Sequence, residues 1–126
     1  MTRKDAKKKR ERDADNARFG AYLRERREAA GISLRGLAGR LGVQPAYLSE
    51  VERGDVSVSE RIAKEAAGIL GEDPDVVYAM SGRASSDLVA VITKRPKVFA
   101  EMIRQLKEAP DHAILRVVRE VRDGDW

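Results

Sequence analysis

The sequence contains no cysteine and a single histidine, His112. Without cysteine the chain cannot form a disulfide bond, a thiolate metal site or a cysteine nucleophile. One histidine is too few to build a metal site, and the sequence has no phosphate-binding loop motif. We therefore expect no metal, no cofactor and no catalytic residue, and these absences argue against an enzyme.

Long apolar runs are also missing, because charged residues make up 37% of the 126 residues and interrupt every apolar stretch. A membrane-spanning helix needs about 20 consecutive apolar residues, and the N-terminus lacks the apolar segment of a secretion signal. We therefore expect a cytoplasmic protein with no membrane contact. Apolar residues still make up 42% of the chain, which is enough for one modest core.

The excess of basic charge is concentrated at the N-terminus. Residues 1–18 hold eight of the 25 basic and four of the 21 acidic residues, so the remainder of the chain is neutral. We predict that residues 1–17 form a basic, flexible arm. Such an arm can bind nucleic-acid phosphates and release their counterions. The alternative is a solvated tail that serves only solubility.

The spacing of the apolar residues predicts an all-α fold, because it is helical throughout and no strand-like alternation lasts for five residues. Serine, glycine and proline at suitable places mark the helix ends. The stretch Ser57-Val58-Ser59-Glu60 has the spacing of a capping box, which predicts the start of a fourth helix. Five helices are predicted in the first part of the chain, over residues 16–30, 34–41, 45–53, 57–70 and 73–80.

A domain boundary is predicted at residues 82–86, where serine and glycine give the one linker-like composition between helices. It separates a domain over residues 18–81 from a C-terminal region over residues 87–126. In that region, residues 87–93 favour a helix over a strand. A longer helix is predicted over residues 96–107, and a last one follows Pro110-Asp111.

The most informative segment is SLRGLAGRLGVQPAYLSEVERG, residues 33–54. Two helices joined by a tight turn need a small residue at their closest approach, here Ala38, and a residue tolerant of positive φ at the turn, here Gly42. Val43 and Leu48 supply the apolar wedge between the two helices. The exposed face of the second helix would then enter the DNA major groove, which is wide enough for a helix. That face consists of Gln44, Pro45, Ala46, Tyr47, Ser49 and Glu50.

This segment resembles the lambda-repressor-like helix-turn-helix proteins, also called the XRE family, over about residues 19–80. The matching positions are Leu37-Ala38, Gly42-Val43, Gln44, Leu48-Ser49, Val51-Glu52 and Gly54. The resemblance implies a five-helix lambda-repressor-like DNA-binding domain, followed here by a C-terminal helical dimerisation segment. It also implies that the ligand is double-stranded DNA.

Two features of the first motif helix depart from the family pattern. Leu34 stands where the family often has glutamine, and Gly36 and Gly39 each weaken the helix by roughly 1 kcal/mol relative to alanine. Both put the usual phosphate contact from this helix in doubt. Its N–H groups and Arg35 remain able to reach the DNA backbone.

The resemblance further implies an ion pair between Arg27 and Glu52 that fixes the angle of the recognition helix; the alternative is two separate surface charges. Arg53 and Lys64 are candidate phosphate contacts, unless they are only solvated.

On the recognition face, Gln44 can read adenine and Glu50 can accept from cytosine N4. A glutamate here lowers affinity because it repels phosphates, so Glu50 is acceptable only if it adds specificity or if its carboxylate pairs with Arg53 or Arg40.

The C-terminal region carries two apolar helix faces that need a partner. A two-fold dimer would cover them, and the alternative is a hairpin that packs on the fifth helix. Trp126 is expected in the same interface. The candidate dimerisation residues are Val98, Phe99, Met102, Ile103, Leu106, Ile114, Leu115, Val117, Val118, Val121 and Trp126.

These features predict a homodimeric, sequence-specific transcriptional repressor that binds a palindromic operator. The alternative is an antitoxin or protease-controlled repressor whose C-terminal helices bind a partner protein. The ending of the chain resembles the tails of repressors encoded beside metalloproteases or toxins. A toxin or metallopeptidase encoded nearby is therefore a candidate partner.

Overall fold

The computed structural model describes residues 1–124 and 126. Within that range the chain forms eight α-helices and no strand, which confirms the all-α prediction. It divides into two compact units, Met1–Leu88 and Val89–Trp126. The helices are α1 Arg3–Ala29, α2 Leu34–Leu41, α3 Pro45–Arg53, α4 Glu60–Leu70, α5 Pro74–Ala79, α6 Ser86–Lys94, α7 Pro96–Leu106 and α8 Asp111–Asp123.

The first unit is built around one hydrophobic core to which all of α1–α5 contribute. Phe19 and Leu23 of α1 lie in it, together with the motif residues Leu37 and Leu48. α4 contributes small side chains, which let the neighbouring helices approach closely. The remaining buried apolar residues are Ala38, Leu41, Val51, Val58, Ile62, Ala63, Ala66, Ala67, Val77 and Tyr78.

The first helix begins at Arg3, thirteen residues before the predicted start at residue 16. The segment predicted as a flexible arm is therefore the first half of α1. Thr2 and Asp5 form a capping box at its N-terminus. Ion pairs one turn apart, such as Lys9–Asp13 at 2.9 Å, then support the helix. Because these polar interactions produce no apolar periodicity, the spacing of the apolar residues did not predict this part of the helix.

The predicted capping box of α4 is also wrong. Ser59 is the N-cap, and its hydroxyl accepts from the backbone N–H of Ile62 at 3.2 Å. Ser57 instead donates its hydroxyl proton to Asn16 on α1. The Glu60 carboxylate accepts from Ser86. Long-range partners thus take the two side chains that the local spacing had paired.

Residues 82–86, predicted as a linker, belong to the first unit and are held within it by side-chain hydrogen bonds. Ser85 is fully buried and donates to Asp75 at 2.7 Å. Ser86 donates both its backbone N–H and its hydroxyl to Glu60, at 3.1 and 2.6 Å. The division between units follows later, after Leu88. The serines that gave this stretch its linker-like composition therefore fix it in place through hydrogen bonds.

The second unit has no buried side chain among its described residues. Its helices α7 and α8 are strongly amphipathic, and their apolar faces stay largely exposed. Val98, Leu115 and Val121 are each more than half exposed. None of the helices in the described part of the chain combines the length and hydropathy needed to cross a lipid bilayer.

Candidate nucleic-acid interface

The turn between α2 and α3 has the features that the sequence demanded. Ser33 caps α2 by accepting from the N–H of Gly36. Gly42 ends α2 with φ at +70°, a left-handed conformation that a Cβ would disfavour. The N–H of Val43 then returns to the carbonyl of Ala38 at 3.0 Å. Ala38 is fully buried, so a larger side chain would push the two helices apart.

At the start of α3, the exposed side chain of Gln44 makes no capping hydrogen bond. Gln44 is the N-cap of α3 but makes no capping hydrogen bond with its side chain, and Pro45 follows in the first turn. Gln44 and Ala46 are exposed, whereas Pro45, Ser49 and Glu50 are half-buried. Tyr47 is half-buried as well, because it packs against the core.

Arg27 of α1 pairs with Glu52 of α3 in a two-pronged ion pair. The Arg27 Nε–Glu52 Oε2 distance is 2.7 Å and the Nη2–Oε1 distance is 2.9 Å. A third donor, Nη1, reaches the carbonyl of Ile32 at 2.9 Å. The side chains are only 10% and 5% exposed. The hydrogen bond that Arg27 donates to Glu52 raises the pKa of Arg27. This pair joins α1, the α1–α2 turn and α3, and so fixes the angle of α3.

Two glycines bring α1 and the end of α3 into direct backbone contact, and sequence reasoning did not single them out for this. A Cβ on Gly20 would lie within 3.0 Å of the carbonyl oxygens of Val51 and Glu52. A Cβ on Gly54 would lie 2.7 Å from the Cα of Ala17. The available signal was Gly20 itself, because a glycine inside a helical pattern often marks a close packing contact.

The charged residues around α3 form ion pairs that differ from those expected. Arg53 reaches Asp55 at 2.9 Å and donates to Ser49 at 2.6 Å. Neither Arg53 nor Arg40 pairs with Glu50 within the described residues, which leaves a gain in specificity as the remaining alternative for Glu50. Arg35 is exposed near the start of α2.

Lys64, a predicted phosphate contact, lies between two carboxylates. Its ammonium is 2.9 Å from Asp87 and 3.4 Å from Glu60. The hydrogen bond to Asp87 raises the pKa of Lys64, and the hydrogen bond from Ser86 lowers the pKa of Glu60. The positive charge of Lys64 is therefore already balanced by two carboxylates inside the first unit.

The predicted dimerisation residues all lie on α7, α8 or the C-terminus that follows. Phe99, Leu106 and Ile114 are half-buried within the second unit. The other residues of the set are exposed. Trp126 is 89% exposed, and its indole N–H donates to the carbonyl of Val121 at 2.8 Å.

The α2–α3 pair, with its small crossing residue, left-handed glycine and buried apolar wedge, defines a helix-turn-helix protein. A family described as the helix-turn-helix domain matches residues 18–80, half of the chain. The chain belongs to this family. Its membership confirms the helix-turn-helix prediction and agrees with the expectation that the chain is not an enzyme.

Relatives and solved structures share the same region. Two uncharacterized HTH-type transcriptional regulators from strains CDC 1551 and H37Rv of Mycobacterium tuberculosis are each 40% identical over 63 residues. The match covers 50% of this chain and 45% of theirs, so it spans less than half the length of these curated relatives.

Two crystal structures of the clp gene regulator ClgR from Corynebacterium glutamicum are also similar. One is 35% identical, with 54% of this chain and 88% of that chain covered and a TM-score of 0.48. The other is 27% identical, with 72% and 92% covered and a TM-score of 0.49.

Proposed function

We propose that this protein is a transcriptional regulator that binds double-stranded DNA sequence-specifically, with α3 in the major groove. The observation that carries the proposal is the arrangement of α3. Its N-cap residue, Gln44, is exposed and makes no capping hydrogen bond with its side chain. The buried Arg27–Glu52 pair holds the second half of α3 against α1. A fixed helix with an unoccupied polar N-terminal face suits base reading. Such a regulator would act in the cytoplasm, where bacterial DNA lies.

The side chains on this face have distinct roles in the proposal. The Gln44 amide would bind adenine N6 and N7, and Glu50 would accept from cytosine N4. Pro45 and Ala46 would contact thymine methyl groups. Tyr47 would act through its hydroxyl, because its ring packs on the core. Ser49 would help to orient Arg53, to which it is already hydrogen-bonded.

The phosphate contacts in the proposal are Arg35 and Arg53. Arg35 is exposed at the start of α2, where backbone N–H groups also favour an anion. Arg53 is 59% exposed on its side chain and can exchange its surface pair with Asp55 for a phosphate. Lys64 is left out, because Asp87 and Glu60 already neutralise it.

Base recognition can be tested by selecting preferred sites from a random duplex pool and then measuring affinity for single-base variants. Gln44→Ala should relax discrimination at particular base pairs by about 1–3 kcal/mol. Gln105→Ala is the matched control, because Gln105 lies on α7 and bonds only to Glu101 among the described residues. A Gln44→Ala protein that keeps the parent's preference at every position would contradict the assignment of α3.

We further propose that the protein is a homodimeric repressor joined through the second unit. The apolar faces of α7 and α8 enclose an open groove of about 460 Å³. Burial is worth roughly 25 cal/mol per Å² of apolar surface, so these exposed faces favour association. The groove is lined by Met102, Leu106, Ile114, Val117, Val118, Val121 and Arg122.

A second copy is the proposed occupant, because it offers the same apolar face in return. A two-fold dimer would also supply two copies of α3 for a palindromic operator. Half-sites in such operators lie about 34 Å apart, one turn of DNA.

Sedimentation equilibrium on the full chain tests the dimer. We expect a dimer at tens of micromolar and a monomer after Val118→Glu, which places a charge in the groove. His112→Glu adds the same charge on the opposite face of α8 and should leave the dimer intact.

A parent chain that stays monomeric would refute the dimer. It would favour the alternative in which the groove binds a partner protein, such as a toxin or metallopeptidase encoded nearby. Footprinting on the DNA upstream of the protein's own gene tests the repressor assignment.

A further inference from the structure

One face of α1 changes from apolar to basic along its length. Phe19 and Leu23 are buried in the core of the first unit. Continuing toward the N-terminus in steps of three or four residues, the same face carries Asn16, Arg12 and Lys8. The basic charge on the first half of α1 therefore includes two residues in line with the core-facing positions.

Lys8, Arg12 and Asn16 line a cavity of about 260 Å³ in the first unit. Its other wall comes from the polar turns around Ser57 and residues 81–83. Gly82, at φ +85°, lies so close to Asp15 that a Cβ there would collide with the Asp15 carboxylate. The cavity is therefore bounded by three separate chain segments that the fold brings together.

Three cations, Lys8, Arg12 and Arg83, and two carboxylates line this cavity. The carboxylates that line it have partners of their own, since Asp15 is 3.1 Å from Arg18 and Glu11 is 3.9 Å from Lys7. Within the described part of the chain, neither Lys8 nor Arg12 forms an ion pair or a side-chain hydrogen bond. A ligand with two negative charges would balance both cations.

Hydrogen-bond donors complete the site. Asn16 is only 8% exposed, and its Oδ1 accepts from the Ser57 hydroxyl at 3.1 Å. The Asn16 amide nitrogen has no partner among the described residues, although it lines the cavity. Arg83 is held in place by a hydrogen bond to the carbonyl of Val58 and by the ring of Tyr78, 5.1 Å away. An amide donor beside three cations suits a phosphate oxygen.

We propose that this cavity binds a phosphate group, held by Lys8, Arg12, Arg83 and the amide of Asn16. The phosphate can come from a small phosphorylated molecule or from the DNA backbone. The DNA backbone as the source rests on the proposed function. It is favoured by the position of Ser57, which lies three residues beyond Gly54, the C-cap of α3. Both sources share the same oxyanion chemistry.

The test uses two site variants and one matched control in the full chain. Lys8→Gln with Arg12→Gln removes the two cations of α1 that line the cavity. Arg3→Gln with Arg10→Gln removes the same charge from the opposite face of the same helix and leaves the Lys7–Glu11 pair in place. Asn16→Asp keeps an acceptor for Ser57 but replaces the amide donor with a negative charge. Circular dichroism should show the same helical content in all three.

Amide NMR with inorganic phosphate, against chloride at equal ionic strength, measures the site directly. Phosphate should shift the side-chain amide of Asn16 and the backbone amide of Gly82 in the parent and in the Arg3/Arg10 control. The Lys8/Arg12 variant should lose these shifts. Asn16→Asp should lose the shift at Gly82. An absence of phosphate-dependent shifts in the parent, or their persistence in both site variants, overturns the proposal.

The salt dependence of binding to a random duplex identifies the source. A backbone phosphate in the cavity should lower the slope of log affinity against log salt by about one in the Lys8/Arg12 variant relative to the control. Equal slopes in the two variants assign the site to a small phosphorylated molecule. A parent that binds no DNA refutes the proposed function, while the NMR result on phosphate still stands.

Discussion

The two units use similar apolar residues in opposite ways. Leu48 on α3 has no exposed surface, whereas Leu115 on α8 is 53% exposed. In the first unit five helices share one core, and in the second unit the described residues include no buried side chain. A region of this size with so little buried surface has little stability of its own. The difference indicates that the first unit is specified by internal packing and the second by what it binds.

The largest expected effect compares an ion pair from each unit. Glu52→Ala should lower the free energy of unfolding by about 3–5 kcal/mol, because it leaves the buried Arg27 without its partner. Glu101→Ala removes the exposed partner of Arg104 on α7, and we expect a loss below about 1 kcal/mol. Urea denaturation followed by circular dichroism measures both. Equal losses would mean that the Arg27–Glu52 pair contributes no more than a surface contact.

A matched pair of leucine substitutions tests the comparison itself. Leu48→Ala should destabilise the first unit by about 2–5 kcal/mol at any protein concentration, because it opens a cavity in the core. Leu115→Ala should have an effect below about 1 kcal/mol in dilute protein. Its effect should grow as concentration rises and the second unit associates. Denaturation at several concentrations separates the two patterns. A Leu115→Ala effect that is large and independent of concentration would show that α8 packs within its own chain.

The smallest effect shows that packing is uneven even within the first unit. Gly39→Ala should raise stability by about 0.5–1 kcal/mol, because α2 gains helix propensity and the new Cβ meets nothing within 4 Å. Gly20→Ala is the same change on α1 and should lower stability, since its Cβ collides with the backbone of α3. Thermal or urea midpoints give the sign of each change. The same sign for both would contradict the close contact between α1 and α3.

The helices of the motif could be predicted because their ends are set by local chemistry. Ser33 and Gly42 bound α2, and Pro45 and Gly54 bound α3, as the sequence indicated. The start of α1 could not be predicted in this way. Its first half is stabilised by a capping box and by ion pairs one turn apart, which leave no apolar pattern.

The site was predicted only in part, for a related reason. The positions of Gln44 and its neighbours follow from the helix, but the Arg27–Glu52 pair was expected only from the family resemblance. The capture of Lys64 by Asp87 joins residues 23 positions apart. Such contacts depend on how helices pack, so spacing along the chain does not reveal them.

Because α1 is one continuous helix, the direction in which its N-terminal side chains point matters as much as their charge. The helix runs for 27 residues, from Arg3 to Ala29, or about 40 Å. One alanine inserted after Ala14 would turn everything before it by about 100°, and Lys8 and Arg12 would leave the cavity although no charge had changed. An insertion of seven residues would return them to within about 20° of their original direction. The N-terminal half therefore works as a rigid extension with a fixed angular setting, and its composition alone does not define it.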